Sequence, residues 1–176
     1  IYEKPNFNYS DNSLLLSATS TTKNQIVSAG YKSSELGFSV GTAFEQYENF
    51  YITPRFSTTF ETLTTTSSAS KNYKKQEGSF FDNYLDYTLD YDNRNKRYKP
   101  DEGFRNIFNQ SLPIYSKSNE ISNSFETIKY NKFSNVVTRV SFYGATINSL
   151  TGDDVRVSKR LFIPGSKLRG FESGKV

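Results

Sequence analysis

The sequence predicts an all-β chain: an antiparallel transmembrane β-barrel, present in part as about eight meander strands, with a long final loop. Three observations lead there. Only 35% of the 176 residues are hydrophobic, yet 16% are aromatic, with 13 Tyr, 15 Phe and no Trp. Abundant Tyr, Phe and Thr suit a pleated, half-buried surface, and a disordered chain would lack the aromatics. Several stretches alternate between large apolar and small or polar residues, the period of a strand. Short turns between these stretches take turns with longer polar connections, as in barrels with tight turns at one end and long loops at the other. Mean hydropathy is negative, because lipid-facing and lumen-facing residues average out along such strands.

Composition also excludes chemistry. With no Cys there is no disulfide framework or thiol site. With no His the commonest general base and metal ligand are missing. No nucleophile–base pair or metal cluster stands out, so neither an enzyme nor a cofactor is expected. No apolar run approaches the roughly 18 residues of a membrane helix. The net charge of +4 is spread along the chain, which does not make a nucleic-acid footprint. Both ends read as cut, since Ile1 opens inside a strand pattern and no leader precedes it.

Taken in order, residues 1–7 read as strand and 8–13 as a polar turn, with a strand over 14–22 in which three leucines precede Ser and Thr. Residues 23–35 form a polar connection. The cleanest alternation follows: Leu36, Phe38, Val40, Thr42 and Phe44 point one way, Gly37, Ser39, Gly41, Ala43 and Glu45 the other. After a turn at 46–49, Phe50, Ile52, Pro54, Phe56 and Phe60 oppose Tyr51, Thr53, Arg55, Ser57, Thr59 and Glu61. Pro54 removes a ladder donor, so a bulge or broken ladder is expected there. Residues 62–79, rich in Thr, Ser and Lys, read as a long exposed loop.

The next strand sets Leu85, Tyr87, Leu89 and Tyr91 against Asp82, Asp86, Asp90 and Asp92. In a soluble sheet four acids would be a solvated face; in a barrel they line the lumen, which makes Asp82, Asp86 and Asp90 candidate lumen acids. Asp92, Arg94 and Asn95 lead to Pro100 and Gly103, where proline presets φ and glycine accepts φ > 0 in a tight turn, with Arg94 placed to pair with Asp92. Lys96, Arg97 and Lys99 are candidates for contact with acidic lipid or for a solvated turn. Residues 104–114 alternate poorly, 116–122 read as loop, and strands return at 125–133 and from Val136 to Tyr143. The chain then divides into strands over 1–147 and a loop over 148–176.

That loop carries Leu168, Arg169, Gly170 and Phe171, preceded by S-K-R-L-F-I-P-G-S-K. These residues resemble the (V/L)-R-G-(F/Y) signature loop of the BamA-type outer-membrane assembly factors. Asp92, Arg94, Pro100 and Gly103 resemble the same family's D-x-R-(D/N)…P-x-x-G periplasmic hairpin. Residues 1–7 loosely resemble its E-P-x-F strand end, with Lys4 interposed. The resemblance implies the middle of a barrel of roughly 16 strands. It also implies an extracellular loop folded into the lumen, where Arg169 pairs with a wall carboxylate. The fork of Arg169 suits such a pair, Gly170 allows close approach and Phe171 is a rigid anchor. Within the chain the 82–92 acidic face is the best partner for Arg169.

The implied function is folding and insertion of other β-barrel proteins into the Gram-negative outer membrane. The implied partners are unfolded outer-membrane β-barrel proteins, accessory assembly lipoproteins and outer-membrane lipid. Two alternatives stand beside it: the related translocator of two-partner secretion, and a soluble β-domain binding a ligand on an aromatic face. The barrel reading places Val40 toward lipid and Gly41 toward the lumen. Val40→Arg is then expected to cost about 2–4 kcal/mol, and Gly41→Ser much less.

Overall fold

Strand chemistry runs through nearly the whole chain. The computed structural model describes residues 1–117 and 119–161. Eight strands follow one another: β1 (Tyr2–Lys4), β2 (Ser13–Gln25), β3 (Tyr31–Tyr47), β4 (Phe50–Thr65), β5 (Gly78–Arg94), β6 (Gly103–Tyr115), β7 (Glu120–Phe133) and β8 (Val136–Ser149). Each pairs antiparallel with its neighbours in sequence, giving one meander sheet in the order β1 to β8. Among the described residues the sheet does not close on itself. Two single-turn helices, α1 (Ile26–Ala29) and α2 (Lys71–Lys74), lie in the β2–β3 and β4–β5 connections.

The strands are longer than their apolar pattern suggests. The polar connections expected over 23–35 and 62–79 shrink to 26–30 and 66–77, because the ladder runs on through Gln25↔Tyr31, Tyr31↔Thr65 and Leu63↔Gly78. Backbone pairing carries these Thr-, Ser- and Lys-rich ends, and on their inner side Tyr31, Ser33 and Leu63 are buried. Their polarity marks where the strands outrun the apolar belt. Likewise β6 begins at Gly103 and β7 at Glu120, so the loop expected over 116–122 is only 116–119. The last strand continues to Ser149.

The alternation sorts side chains onto two faces. Residues 150–161 return over one, the inner face, which carries Tyr31, Ser33, Glu61, Leu63, Asp82 and Glu120, all buried. On the other, Leu36, Phe38, Val40, Phe56, Phe60, Phe81 and Leu85 are 40–48% exposed. Large apolar side chains on the open face, and acids on the covered one, invert a water-soluble sheet. The outer aromatics pack laterally, Phe60 on Phe81 at 4.8 Å and Tyr91 on Phe104 at 5.6 Å between ring centroids.

At Pro54 the β3–β4 ladder lacks the 42–54 and 43–53 pairs yet resumes in the same register, with Phe44 opposite Ile52. The ladder is broken there, and the register shift lies beyond it, between Glu45 and Tyr47. Against β5, Pro54 keeps its place opposite Tyr87. The same neighbourhood corrects the expectation for Gly41. A Cβ on Gly41 would sit 2.6 Å from the Pro54 carbonyl oxygen and 3.0 Å from Arg55 Cβ. Serine there is therefore not mild. The inner-face position is polar, but the space is filled by backbone.

The connections separate by end. Those at 48–49 and 134–135 are two-residue turns on the end that also holds the 95–102 turn; the α1 and α2 connections, 116–119 and the exit from β8 share the opposite end. Length does not divide cleanly by end: the two-residue turns and the long 66–77 connection follow the expected short–long rhythm of outer-membrane barrels, but 95–102 is longer than 26–30 or 116–119.

Candidate functional site

After β8 the chain turns inward, and four consecutive residues, Arg156 to Lys159, are held by six different parts of the wall. Arg156 is 1% exposed. Its Nη1 donates to Glu61 Oε2 on β4 and to Asp82 Oδ2 on β5, each at 2.8 Å, and its Nη2 donates to Asp82 Oδ1 at 3.2 Å. Its backbone N–H donates to Glu120 Oε1 at the start of β7, at 2.6 Å. The guanidinium lies 3.8 Å from the centroid of Phe80, so a ring shields one side of the ion pair. Val157 donates its N–H to Gln76 Oε1 (2.8 Å) and buries its side chain with Tyr31 and Leu63. Lys23 Nζ donates to the Ser158 carbonyl at 2.8 Å, and Lys159 Nζ to Glu35 Oε2 at 2.5 Å.

The electrostatics follow from burial. Desolvation opposes the charged forms of both cations. For Arg156 the hydrogen bonds it donates to Asp82 and Glu61 outweigh it and hold the guanidinium above its ordinary range. For Lys159 the Glu35 carboxylate does the same and raises the ammonium. A planar fork that satisfies Asp82 with two nitrogens and reaches Glu61 with one of them is a geometry lysine cannot copy. Breaking a buried pair of this kind costs roughly 3–5 kcal/mol.

Further along the inner face each acid of β5 has a local partner. Asp86 accepts from Ser57 Oγ of β4 at 2.6 Å and from Ser111 Oγ of β6. Arg105 of β6 makes two bonds to Asp90, at 2.9 and 2.5 Å. Arg94 makes two to Asp92, at 2.7 and 2.6 Å, and Arg105 Nε lies 3.9 Å from Asp92. The expected negative stripe is therefore partly offset: Arg105 of β6 pairs with Asp90 and Arg94 of β5 itself with Asp92, while Asp86 is hydrogen-bonded by serine hydroxyls of β4 and β6, which bring no countercharge. Pro100 lies in the turn and Gly103 opens β6 with φ of +96° opposite Arg94, a conformation that side chains resist. In the same turn Lys96 faces Asp101 at 3.5 Å, and Arg97 lies over the Tyr51 ring and donates to its hydroxyl. Lys99 lies over Tyr98.

Asp82, Asp86 and Asp90 thus share the covered face, while Asp92, Arg94, Pro100 and Gly103 gather at the hairpin. Leu168, Arg169, Gly170 and Phe171 lie outside the described residues. Sequence reasoning missed Arg156, Glu120, Lys159 and Glu35. Alternation had already put Glu61 on the face of Ser57 and Thr59, and an arginine between two valines, V-R-V, was the available sign of a buried cation. Which cation reaches Asp82 is a matter of where the loop runs: Arg156 occupies both its oxygens.

Compared with known families, the chain matches the Omp85 superfamily domain over residues 1–176. It belongs to the Omp85 superfamily. No curated protein matches the chain. Among solved structures, this Omp85 chain is similar to the crystal structure of BamA from Haemophilus ducreyi lacking POTRA domains 1-3, with a TM-score of 0.72 at 19% identity. The likeness covers 88% of this chain and 33% of that one, so the Omp85 chain spans about a third of its structural neighbour. At that identity the match bears on the fold: an antiparallel barrel wall whose inner face is the lumen.

Proposed function

We propose that this chain forms the middle of the barrel of an outer-membrane assembly factor, which folds and inserts other β-barrel proteins into the Gram-negative outer membrane. Superfamily membership along the whole chain carries this reading. The wall agrees with it, apolar outside and charged within. Its partners in this reading are unfolded outer-membrane β-barrel proteins, accessory assembly lipoproteins and outer-membrane lipid. No bond is made or broken, so the residues act by position. Templating of incoming strands would use backbone pairing at a sheet edge.

Depletion of the full-length protein in its host tests the reading. Many outer-membrane barrels should fall together, measured by their heat-modifiable folded bands. Loss of a single exported passenger with barrel levels intact would instead assign the chain to the translocators of two-partner secretion. A chain that stays in the aqueous phase on detergent partition would favour the soluble β-domain.

A further inference from the structure

We propose that Arg156 is a positioning residue: with Lys159 it latches the base of the connection after β8 onto the inner wall. This deepens the assembly-factor reading and rests on it for its setting, a loop inside a barrel.

Four observations carry it. Anchors are dense: β2, β3, β4, β5, β7 and the α2 connection each supply a hydrogen bond to residues 156–159. They are spread across the sheet, too. Glu61 and Asp82 are diagonal neighbours, since Glu61 faces Phe80 and Thr59 faces Asp82, while Glu120 lies two strands further on. One residue therefore braces the wall from β4 to β7. Apolar seating adds to this, because Val157 is 1% exposed and packs with Tyr31 and Leu63, flanked by Ala29, Tyr73 and Phe80. Finally, the choice of ions is informative. A buried charge cluster is often no more stable than apolar packing of the same volume. What Arg156 adds is direction, since this placement of the loop brings its fork to Asp82 and Glu61 and its backbone N–H to Glu120 together. A loop pinned at its base also leaves its remainder a shorter segment to order.

A cysteine at the latch reads its state. Ser158 is 4% exposed and its Oγ has no hydrogen-bond partner among the described residues, so Ser158→Cys should leave the wall intact. The full-length barrel, free of other cysteines, is refolded in detergent, and labelling by a membrane-impermeant maleimide is timed. Folding is followed separately by heat-modifiable mobility. Labelling should be slow in the Ser158→Cys barrel. Adding Arg156→Met, of similar length but uncharged, should speed it about tenfold or more as the latched state opens. Arg156→Lys should fall between. Slow labelling in a folded Arg156→Met barrel would overturn the latch, as would equal labelling of the Lys and Met variants. Should Arg156→Met not fold, Lys159→Ala is read in its place: a several-fold rise supports the latch and no change overturns it. Labelling reports on the latch whether or not other barrels depend on this protein, so its failure is distinct from failure of the depletion experiment.

Discussion

Two glycines on one strand and one face offer a controlled comparison. Gly37 and Gly41 both lie on the inner side of β3, and both are flanked by paired strands. Neither has a positive φ, so alanine strains neither backbone and only the available space differs. At Gly37 a new Cβ meets Thr19 Oγ1 at 2.7 Å, the end of a side chain that can rotate away. Its next neighbour is a methyl of Thr59 at 3.6 Å, an ordinary contact. At Gly41 the Cβ meets the Pro54 carbonyl oxygen at 2.6 Å, and Arg55 Cα and Cβ at about 3 Å. To relieve that contact one strand must shift, close to the broken stretch of the β3–β4 ladder. Overpacking of this kind costs about 1–3 kcal/mol, whereas glycine to alanine at a compatible site gains about 0.4–1 kcal/mol through the unfolded chain. Gly41→Ala should therefore be roughly 2 kcal/mol less stable than Gly37→Ala. Urea titrations of the full-length barrel refolded in one detergent measure the difference. Equal midpoints would refute the close approach of Gly41 to Pro54, and a more damaging Gly37→Ala would refute the packing of β3 as a whole.

Val40→Arg, on the outer face, should cost about 2–4 kcal/mol near the bilayer midplane, and Ser39→Arg, on the inner face beside Ser17, much less; similar losses in lipid refolding titrations would reject the facing. Arg156→Met leaves Glu61 and Asp82 buried without their cation and should cost roughly 3–5 kcal/mol. Adding Glu61→Gln and Asp82→Asn should recover part of that loss in the same titration, because the uncompensated charges are gone. The Lys159–Glu35 pair gives a pH signature. The folded state raises the lysine above its ordinary value of 10.5, so the pair's contribution is complete below that pH and is lost as pH climbs through the raised value. Labelling of Ser158→Cys, corrected for the reagent's own pH dependence, should accelerate above that range in the otherwise unaltered barrel, and not in Lys159→Ala.

Much of the wall is legible in the residues alone. Alternation is a local property with period two, so Phe38, Val40, Phe56 and Leu85 could be assigned to one face, and Glu61, Asp82, Asp86 and Asp90 to the other, without knowing what either face meets. The hairpin at Pro100 and Gly103 is equally local. Strand ends were harder to read, because the Thr- and Ser-rich stretches flanking Leu63 and Tyr31 keep their ladders without an apolar pattern to announce them. The latch and the tight seat of Gly41 were decided by tertiary structure. Arg156 meets Asp82 from 74 residues away and Glu61 from 95. Such pairs depend on strand register, on which residues of adjacent strands share a height, and on the path of the returning chain. The period of a strand says which way a side chain points; only the assembled sheet brings one arginine within reach of three carboxylates.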